Sequence, residues 1–119
     1  MERFIKRVEG EVPETGFLFN GSPICNFAVE MSPLEEGFRK RLCEIYKIWS
    51  GCISDALKRG QEKSIVRPDI EPTAEASFLV AIMEGSASVG KVEQDIVFLR
   101  SCIATARNHL DSLSASRTL

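Results

Sequence analysis

GQEKSIVRPDIEP, residues 60–72, separates two long helical patterns in the chain. Gly60 suits the left-handed position that follows a helix. Pro68 and Pro72 cannot continue a helix, but a proline suits the first turn of the next one. The sequence therefore predicts two separate helices joined by a tight linker, and not one continuous rod.

The helix before this linker is expected to begin at Ser32. Ser32 can cap it, Pro33 suits its first position, and Glu35 can bond back to the capping residue. Its apolar positions step by three or four, so they form one face of a helix of about seven turns. These positions are Phe38, Leu42, Ile45, Trp49, Ile53, Ala56 and Gly60.

The helix after the linker is predicted from about Pro72 to Gly90, with Glu71 or Asp69 as its cap. One of its faces carries bulky side chains, namely Phe78, Leu79, Ile82, Met83 and Val89. Another face carries the small residues Ala74, Ser77, Ala81, Gly85 and Ser88. Small side chains let a neighbouring helix approach closely, so this second face is a candidate for helix packing.

The last predicted helix runs from about Val92 to Leu113 and has the most regular pattern. Alternating steps of three and four connect Ile96, Leu99, Ile103, Ala106, Leu110 and Leu113. This spacing keeps a narrow apolar seam against a partner helix. A second stripe of Phe98, Cys102, Thr105 and His109 lies beside it, so contacts on two sides are expected. Residues 114–119 are expected to fray.

Before the first long helix, the sequence predicts the end of a helix over residues 2–9, a loop over 11–22 and a short helix from Pro23 to Met31. No run of alternating β-branched residues indicates a strand. With 119 residues, of which 44% are hydrophobic, the chain suits one domain with one core. We therefore predict a single all-α domain over residues 1–119, a bundle of about five helices.

Composition and charge disfavour several functions. The net charge is -2, whereas a protein that binds nucleic acid by itself usually has a basic excess. The longest apolar run, Phe78 to Met83, is too short to span a bilayer, and the first residues lack the apolar core of a secretory signal. These features predict a cytoplasmic protein that contacts no membrane.

Catalytic and metal-binding patterns are missing from the sequence. Cys25, Cys43, Cys52 and Cys102 form no C-x-x-C pair and no zinc spacing with the single histidine, so reduced and mostly buried thiols are expected. His109 would need an orienting carboxylate to act as a base, and nearby Asp111 lies on a different face of the helix. We expect no enzyme activity, no metal and no cofactor.

Three phrases in this order carry a resemblance to a known family. They are GSPICNFAVE (residues 21–30) followed by Met31 and Ser32, the long helix with Trp49 that ends in Leu57, Gly60 and Gln61, and RPDIEP (residues 67–72). Together they resemble the C-terminal domain of TetR-family transcriptional regulators. Ser22 and Cys25 stand where one branch of that family has Cys and Gly.

The resemblance implies a homodimer that binds a small apolar or amphipathic effector. It implies contact with DNA only through an N-terminal helix-turn-helix domain, which is absent from this chain. In such proteins the last two helices form a four-helix dimer interface, which here falls on Ser77, Ala81, Gly85, Ser88, Ile96, Leu99, Ile103, Ala106 and Leu110. The ligand pocket would be lined by Cys25, Asn26, Phe27, Glu30, Leu42, Tyr46, Trp49, Phe78 and Met83.

Alternatives stay open for the chain and for single residues. The whole chain could be a purely structural helical homodimer or adaptor with a filled core and no ligand site. Asn26 could orient a ligand or serve helix packing, and Glu30 and Glu84 could bond an effector or lie on the surface. A structure without an enclosed cavity of a few hundred Å³ near Trp49 and Phe78 would favour the purely structural alternative.

Overall fold

The computed structural model describes residues 22–115, which form four α-helices. They are α1 (Pro23–Met31), α2 (Glu36–Glu62), α3 (Pro72–Glu93) and α4 (Ile96–Ser112). Within this part of the chain there is no β-strand, only an isolated bridge between Val66 and Ser114. The predicted all-α fold is confirmed. The helix predicted over residues 2–9 and most of the predicted loop that follows it lie outside the described residues.

Helix α1 has the predicted bounds because its start is encoded locally. The Ser22 hydroxyl accepts a hydrogen bond from the Cys25 amide at 3.2 Å, and Pro23 occupies the first turn. The prediction that Ser32 caps α2 is wrong. The Ser32 amide donates to the Ala28 carbonyl at 3.3 Å, so Ser32 closes α1 instead. Helix α2 begins at Glu36 after an intervening turn.

The linker after α2 breaks the helix as predicted, but the residue roles differ. Helix α2 continues through Gly60 to Glu62, and the left-handed backbone belongs to Ser64 at φ 59°. Gly60 is required for a close approach, since a Cβ placed there would lie 2.5 Å from Cγ2 of Val66. The Gln61 amide fixes the turn by donating to the carbonyls of Arg67 and Ile70, each at 3.0 Å.

Gly60→Ala is expected to lower the free energy of unfolding by about 1–2 kcal/mol, because the strain from overpacking exceeds the gain in helix propensity. Gly51, also in α2, is the matched control, since a Cβ there meets no atom within 4 Å. Gly51→Ala should raise the stability by about 0.5–1 kcal/mol. Urea unfolding followed by circular dichroism measures both changes. Equal effects of the two substitutions would contradict the proposed role of Gly60.

The linker is also tied to the end of α4. The Arg67 amide donates to the Leu113 carbonyl at 2.9 Å, and the Ala115 amide donates to the Ile65 carbonyl at 2.8 Å. The Arg67 guanidinium pairs with Asp69 at 2.6 Å. Residues 114 and 115 are therefore held in place, so the prediction that this segment frays is wrong for them.

Helix α3 is capped by Glu71, as predicted, through bonds from the amides of Thr73 and Ala74 at 3.2 and 2.7 Å. It passes through Gly90 and ends only at Glu93, where Gln94 takes left-handed backbone at φ 53°. Helix α4 consequently begins at Ile96 and not near Val92. Its cap is Asp95, whose carboxylate accepts from the Val97 amide at 2.9 Å.

The apolar core is centred on α3, which packs against α2 and against α4. Its buried side chains are Leu42, Leu57, Ala76, Leu79, Val80, Ala87, Leu99, Ile103 and Leu113. The apolar face predicted for α2 is rotated, because Phe38 and Ala56 are exposed whereas Ser54 is buried beside Thr73. Among the helices of residues 22–115, none combines the length and apolar character that a membrane span requires.

Candidate functional site

A cavity of about 500 Å³ that is open to solvent on one side lies between α1, α2 and α3. Helix α2 contributes Leu42 and Tyr46 to its wall, and α3 contributes Val80 and Glu84. The remaining lining residues are Ala28, Ser32, Arg39, Cys43, Lys47, Ser50, Ser77 and Ala81. A mostly apolar concavity with a few polar groups is typical of a small-molecule site.

Glu84 of α3 is the main polar group of this cavity, since side chains from the start of α1 and from α2 donate hydrogen bonds to it. The Ser22 hydroxyl, at the start of α1, donates to Oε2 of Glu84 at 2.9 Å. The Tyr46 hydroxyl of α2 donates to the same oxygen at 3.3 Å. The carboxylate therefore joins α1 and α2 to α3 at one edge of the cavity.

Burial and the Glu84 carboxylate together raise the pKa of two neighbouring acidic groups, the Tyr46 phenol and the Cys25 thiol. Burial, followed by the charge of Glu84, raises the pKa of Tyr46 to about 12. Burial and Glu84 also raise the pKa of the Cys25 thiol. Both groups are hence neutral hydrogen-bond donors near pH 7, and the charge of the cluster resides on Glu84.

Glu84→Gln is expected to lower the pKa of Tyr46 from about 12 toward its ordinary value of 10. Removing the negative charge makes ionisation of the phenol easier, although burial still opposes it. Tyr46 is the single tyrosine of the chain, so titration of tyrosinate absorbance reports this residue directly. Glu93→Gln, at the exposed end of the same helix, is the control and should leave the titration unchanged. An unshifted pKa in Glu84→Gln would contradict the electrostatic coupling.

A second groove, of about 400 Å³, lies between α3 and α4. It is lined by Phe78, Leu79, Ile82, Phe98, Ser101, Cys102, Thr105, Ala106 and His109. At one end of it His109 Nε2 lies 2.7 Å from Oε2 of Glu75, and the His109 ring meets Phe78 edge-on with centroids 5.1 Å apart. The carboxylate partner of His109 thus comes from α3, which spacing within α4 could not indicate.

The residues predicted for the ligand pocket are not all together. Leu42 and Tyr46 line the cavity, and Cys25 lies beside Glu84. Trp49 and Met83 are half-buried outside the lining, although the Trp49 ring contacts Tyr46 edge-on at 5.7 Å. Asn26 is half-buried and Glu30 is exposed. Phe78 lines the other groove, and the side chain of Phe27 lies outside the described part.

The residues predicted for the dimer interface also divide between different surroundings. Ser77 and Ala81 line the cavity with Glu84, whereas Ala106 lines the groove between α3 and α4. Leu99 and Ile103 are buried within the protomer itself. Gly85 and Ser88 are exposed, and Ile96 and Leu110 are half-buried.

Sequence patterns missed part of the cavity. The sequence predicts Ser22 in a loop and Ser77 at a subunit interface, and it does not distinguish the two possible roles of Glu84. One signal was present: Ser77, Ala81, Glu84 and Ser88 repeat at helical spacing, and a carboxylate within a stripe of small residues indicates a recessed polar group.

The described residues hold no cluster of three or more His, Cys, Asp or Glu side chains that could bind a metal ion. All four cysteines are free. Cys52 is exposed and the other three are half-buried, so the expectation of mostly buried thiols is wrong. Cys52 is exposed because it lies outside the α2 face formed by Leu42, Ser54 and Leu57.

Comparison with known proteins gives two findings. The family described as "Tetracyclin repressor-like, C-terminal domain" matches the chain over residues 3–109. The HTH-type transcriptional repressor DhaR of Mycobacterium sp. (strain GP1) is 35% identical over 75 residues, which cover 63% of this chain and 38% of DhaR. The matched part is thus well under half of that relative. No solved structure gives a significant match.

Proposed function

Because the chain belongs to the tetracycline repressor-like C-terminal domain family, we propose that it is the effector-binding and dimerising part of a cytoplasmic transcriptional regulator. The observation that carries this proposal is the cavity of about 500 Å³ with Glu84 at one edge. A cavity of this size is within the range of small-molecule sites. This cavity is open to solvent and its lining does not include Trp49 or Phe78, so it differs from the enclosed cavity expected near those two residues. The ligand screen described below separates effector binding from the adaptor alternative.

The proposed effector lies against α2 and α3. Leu42 and Val80 supply apolar walls, and Tyr46 and Glu84 supply polar contacts. This wall revises the pocket expected from the sequence, since Ser77 and Ala81 replace Phe78 and Met83. Trp49 lies outside the lining, but its ring packs on Tyr46, so its fluorescence should respond to a ligand bound in the cavity.

The proposed dimer surface is the groove face of α3 and α4. On α3 it consists of Phe78, Ile82, Gly85, Val89 and Val92, which step by three or four and are all exposed. On α4 the half-buried Phe98 and Cys102 lie across the groove. Two helices from each of two copies would bury these side chains in a four-helix bundle.

The mechanism that we propose is a population shift. An effector stabilises whichever arrangement of α1, α2 and α3 gives it more contacts. Because α3 carries both the cavity wall and the dimer face, about a quarter-turn apart, a change at the cavity reaches the second subunit. DNA reading is assigned to a helix-turn-helix domain outside residues 22–115, since the relative DhaR is named as an HTH-type repressor.

Two measurements on this chain test the proposal. Sedimentation velocity at micromolar concentration should give the mass of a dimer, and a monomer would contradict the dimer part. A screen of small apolar and amphipathic compounds should find binders that change Trp49 fluorescence and raise the unfolding temperature. At a concentration a hundredfold above Kd, such a ligand adds about 2.7 kcal/mol of stability. Failure of every compound would contradict effector binding.

A further inference from the structure

We infer that the effector is an apolar molecule with one hydrogen-bond-donating end, an amine or an alcohol, and that Glu84 receives this end. This inference rests on the proposed effector pocket and names the chemistry of its ligand. It also predicts that molecules with a carboxylate end are disfavoured.

The first reason is the charge of Glu84. An ionised carboxylate only accepts hydrogen bonds and has about four lone-pair positions. Ser22 and Tyr46 both donate to Oε2, and neither of these bonds uses Oε1. The Ser22 and Tyr46 hydroxyls and the Cys25 thiol are neutral groups, so none of these three neighbours compensates its charge. A donor on the ligand, above all a cationic one, complements this position.

The second reason is the rest of the wall. The apolar part of the lining consists of Leu42, Val80, Ala81 and Ala28, which suit a hydrocarbon body. The Tyr46 hydroxyl already donates to Glu84, so it is engaged by the carboxylate and is not directed to a ligand oxygen. Burying an ionised ligand group without a partner is costly, and a carboxylate beside Glu84 would add repulsion.

Two cations limit this inference to one end of the cavity. Arg39 and Lys47 also belong to the lining and are exposed. The Arg39 guanidinium is paired with Glu36 at 2.6 Å. An anionic ligand end would therefore be attracted mainly to the Lys47 ammonium. A substitution of Lys47 therefore distinguishes a ligand whose polar end lies at Glu84 from one whose polar end lies at Lys47.

The test compares octylamine, octanol and octanoate, which share a hydrocarbon chain and differ only in the polar end. The single tryptophan, Trp49, contacts Tyr46 and reports binding by its fluorescence. We expect octylamine to bind most tightly and octanoate to bind at least about tenfold more weakly, since a hydrogen bond to a charged group contributes about 1.5–3 kcal/mol. Octanol should lie between them. Octanoate binding as tightly as octylamine would overturn the inference without any variant.

Glu84→Gln keeps the shape and the carbonyl acceptor but removes the charge. It should weaken octylamine by about tenfold or more, change octanol little and improve octanoate. Glu93→Gln, at the exposed end of α3, is the control and should leave all three affinities unchanged. Lys47→Gln removes a positive charge from the same lining, so it should weaken octanoate binding and strengthen octylamine binding, and a loss of octylamine binding there would overturn the inference.

The failures of the two proposals can be told apart. If the three probes bind equally, or if only other apolar compounds bind, the pocket exists but its donor preference is wrong. If neither these probes nor any compound of the wider screen binds, both the preference and the effector pocket are wrong.

Discussion

Leu79→Ala is expected to lower the free energy of unfolding by about 3–5 kcal/mol. Leu79 is only 2% exposed and is the largest fully buried side chain of the described residues. The truncation loses the transfer free energy of the buried atoms. It also leaves a cavity in the core beside the middle of α3, which the surrounding helices fill only in part. A domain of this size typically has about 5–15 kcal/mol of stability in total, so a large part of it would be lost.

The control for this prediction is Leu34→Ala, because Leu34 is 77% exposed. The same chemical change should alter stability there by less than about 0.5 kcal/mol. Urea unfolding followed by circular dichroism measures both variants at fixed protein concentration, so that any dimerisation contributes equally. A loss below about 1 kcal/mol for Leu79→Ala would mean that the core does not centre on this residue.

Ile82→Glu is expected to weaken the proposed dimer by at least about a hundredfold. Ile82 is 38% exposed and lies in the α3 stripe between Phe78 and Gly85, at the edge of the groove toward α4. In a four-helix interface the new carboxylates of the two copies would be buried, and a buried charge without a partner costs several kcal/mol. In the protomer alone this position still reaches solvent, so the helix content should persist.

Ile48→Glu is the matched control, because Ile48 is 63% exposed on α2, away from the groove. Sedimentation velocity over a concentration series measures the dissociation constant of each variant, and circular dichroism verifies that both remain helical. If Ile82→Glu stays dimeric while folded, the dimer uses another surface. The small-residue set of Ser77, Ala81 and Ser88 expected from the sequence would then be the next surface to test.

Local signals predicted the helices but placed some of their ends wrongly. The start of α1 at Pro23 and the cap of α3 at Glu71 were predictable, because each depends on hydrogen bonds within a few residues. Ser32 has equally good signals for starting a helix, yet its amide completes α1. Gly60 suits a helix end, yet the contact with Val66 explains it better. In these two cases a neighbouring segment used the residue for another contact.

The candidate site was predictable only in part. Leu42 and Tyr46 are expected in the pocket through the resemblance to TetR-family domains, and both line the cavity. The sequence does not place Glu84, because α3 has a bulky face and a small face, and periodicity does not tell which neighbouring helix each face meets. The pairing of His109 with Glu75 joins residues of different helices, so no spacing within one helix could indicate it.

An all-α bundle of the tetracycline repressor-like family, with a break after α2, is predictable from the residues alone. Proline, capping residues and the three-to-four periodicity act over a few residues, so they do not depend on the rest of the fold. The packed helices are needed to show that Ser77 and Ala81 line the cavity with Glu84 and that Phe78 and Ile82 border the groove. That assignment depends on how α3 rotates as Ala76, Leu79 and Val80 become buried, which is a property of the packed helices together.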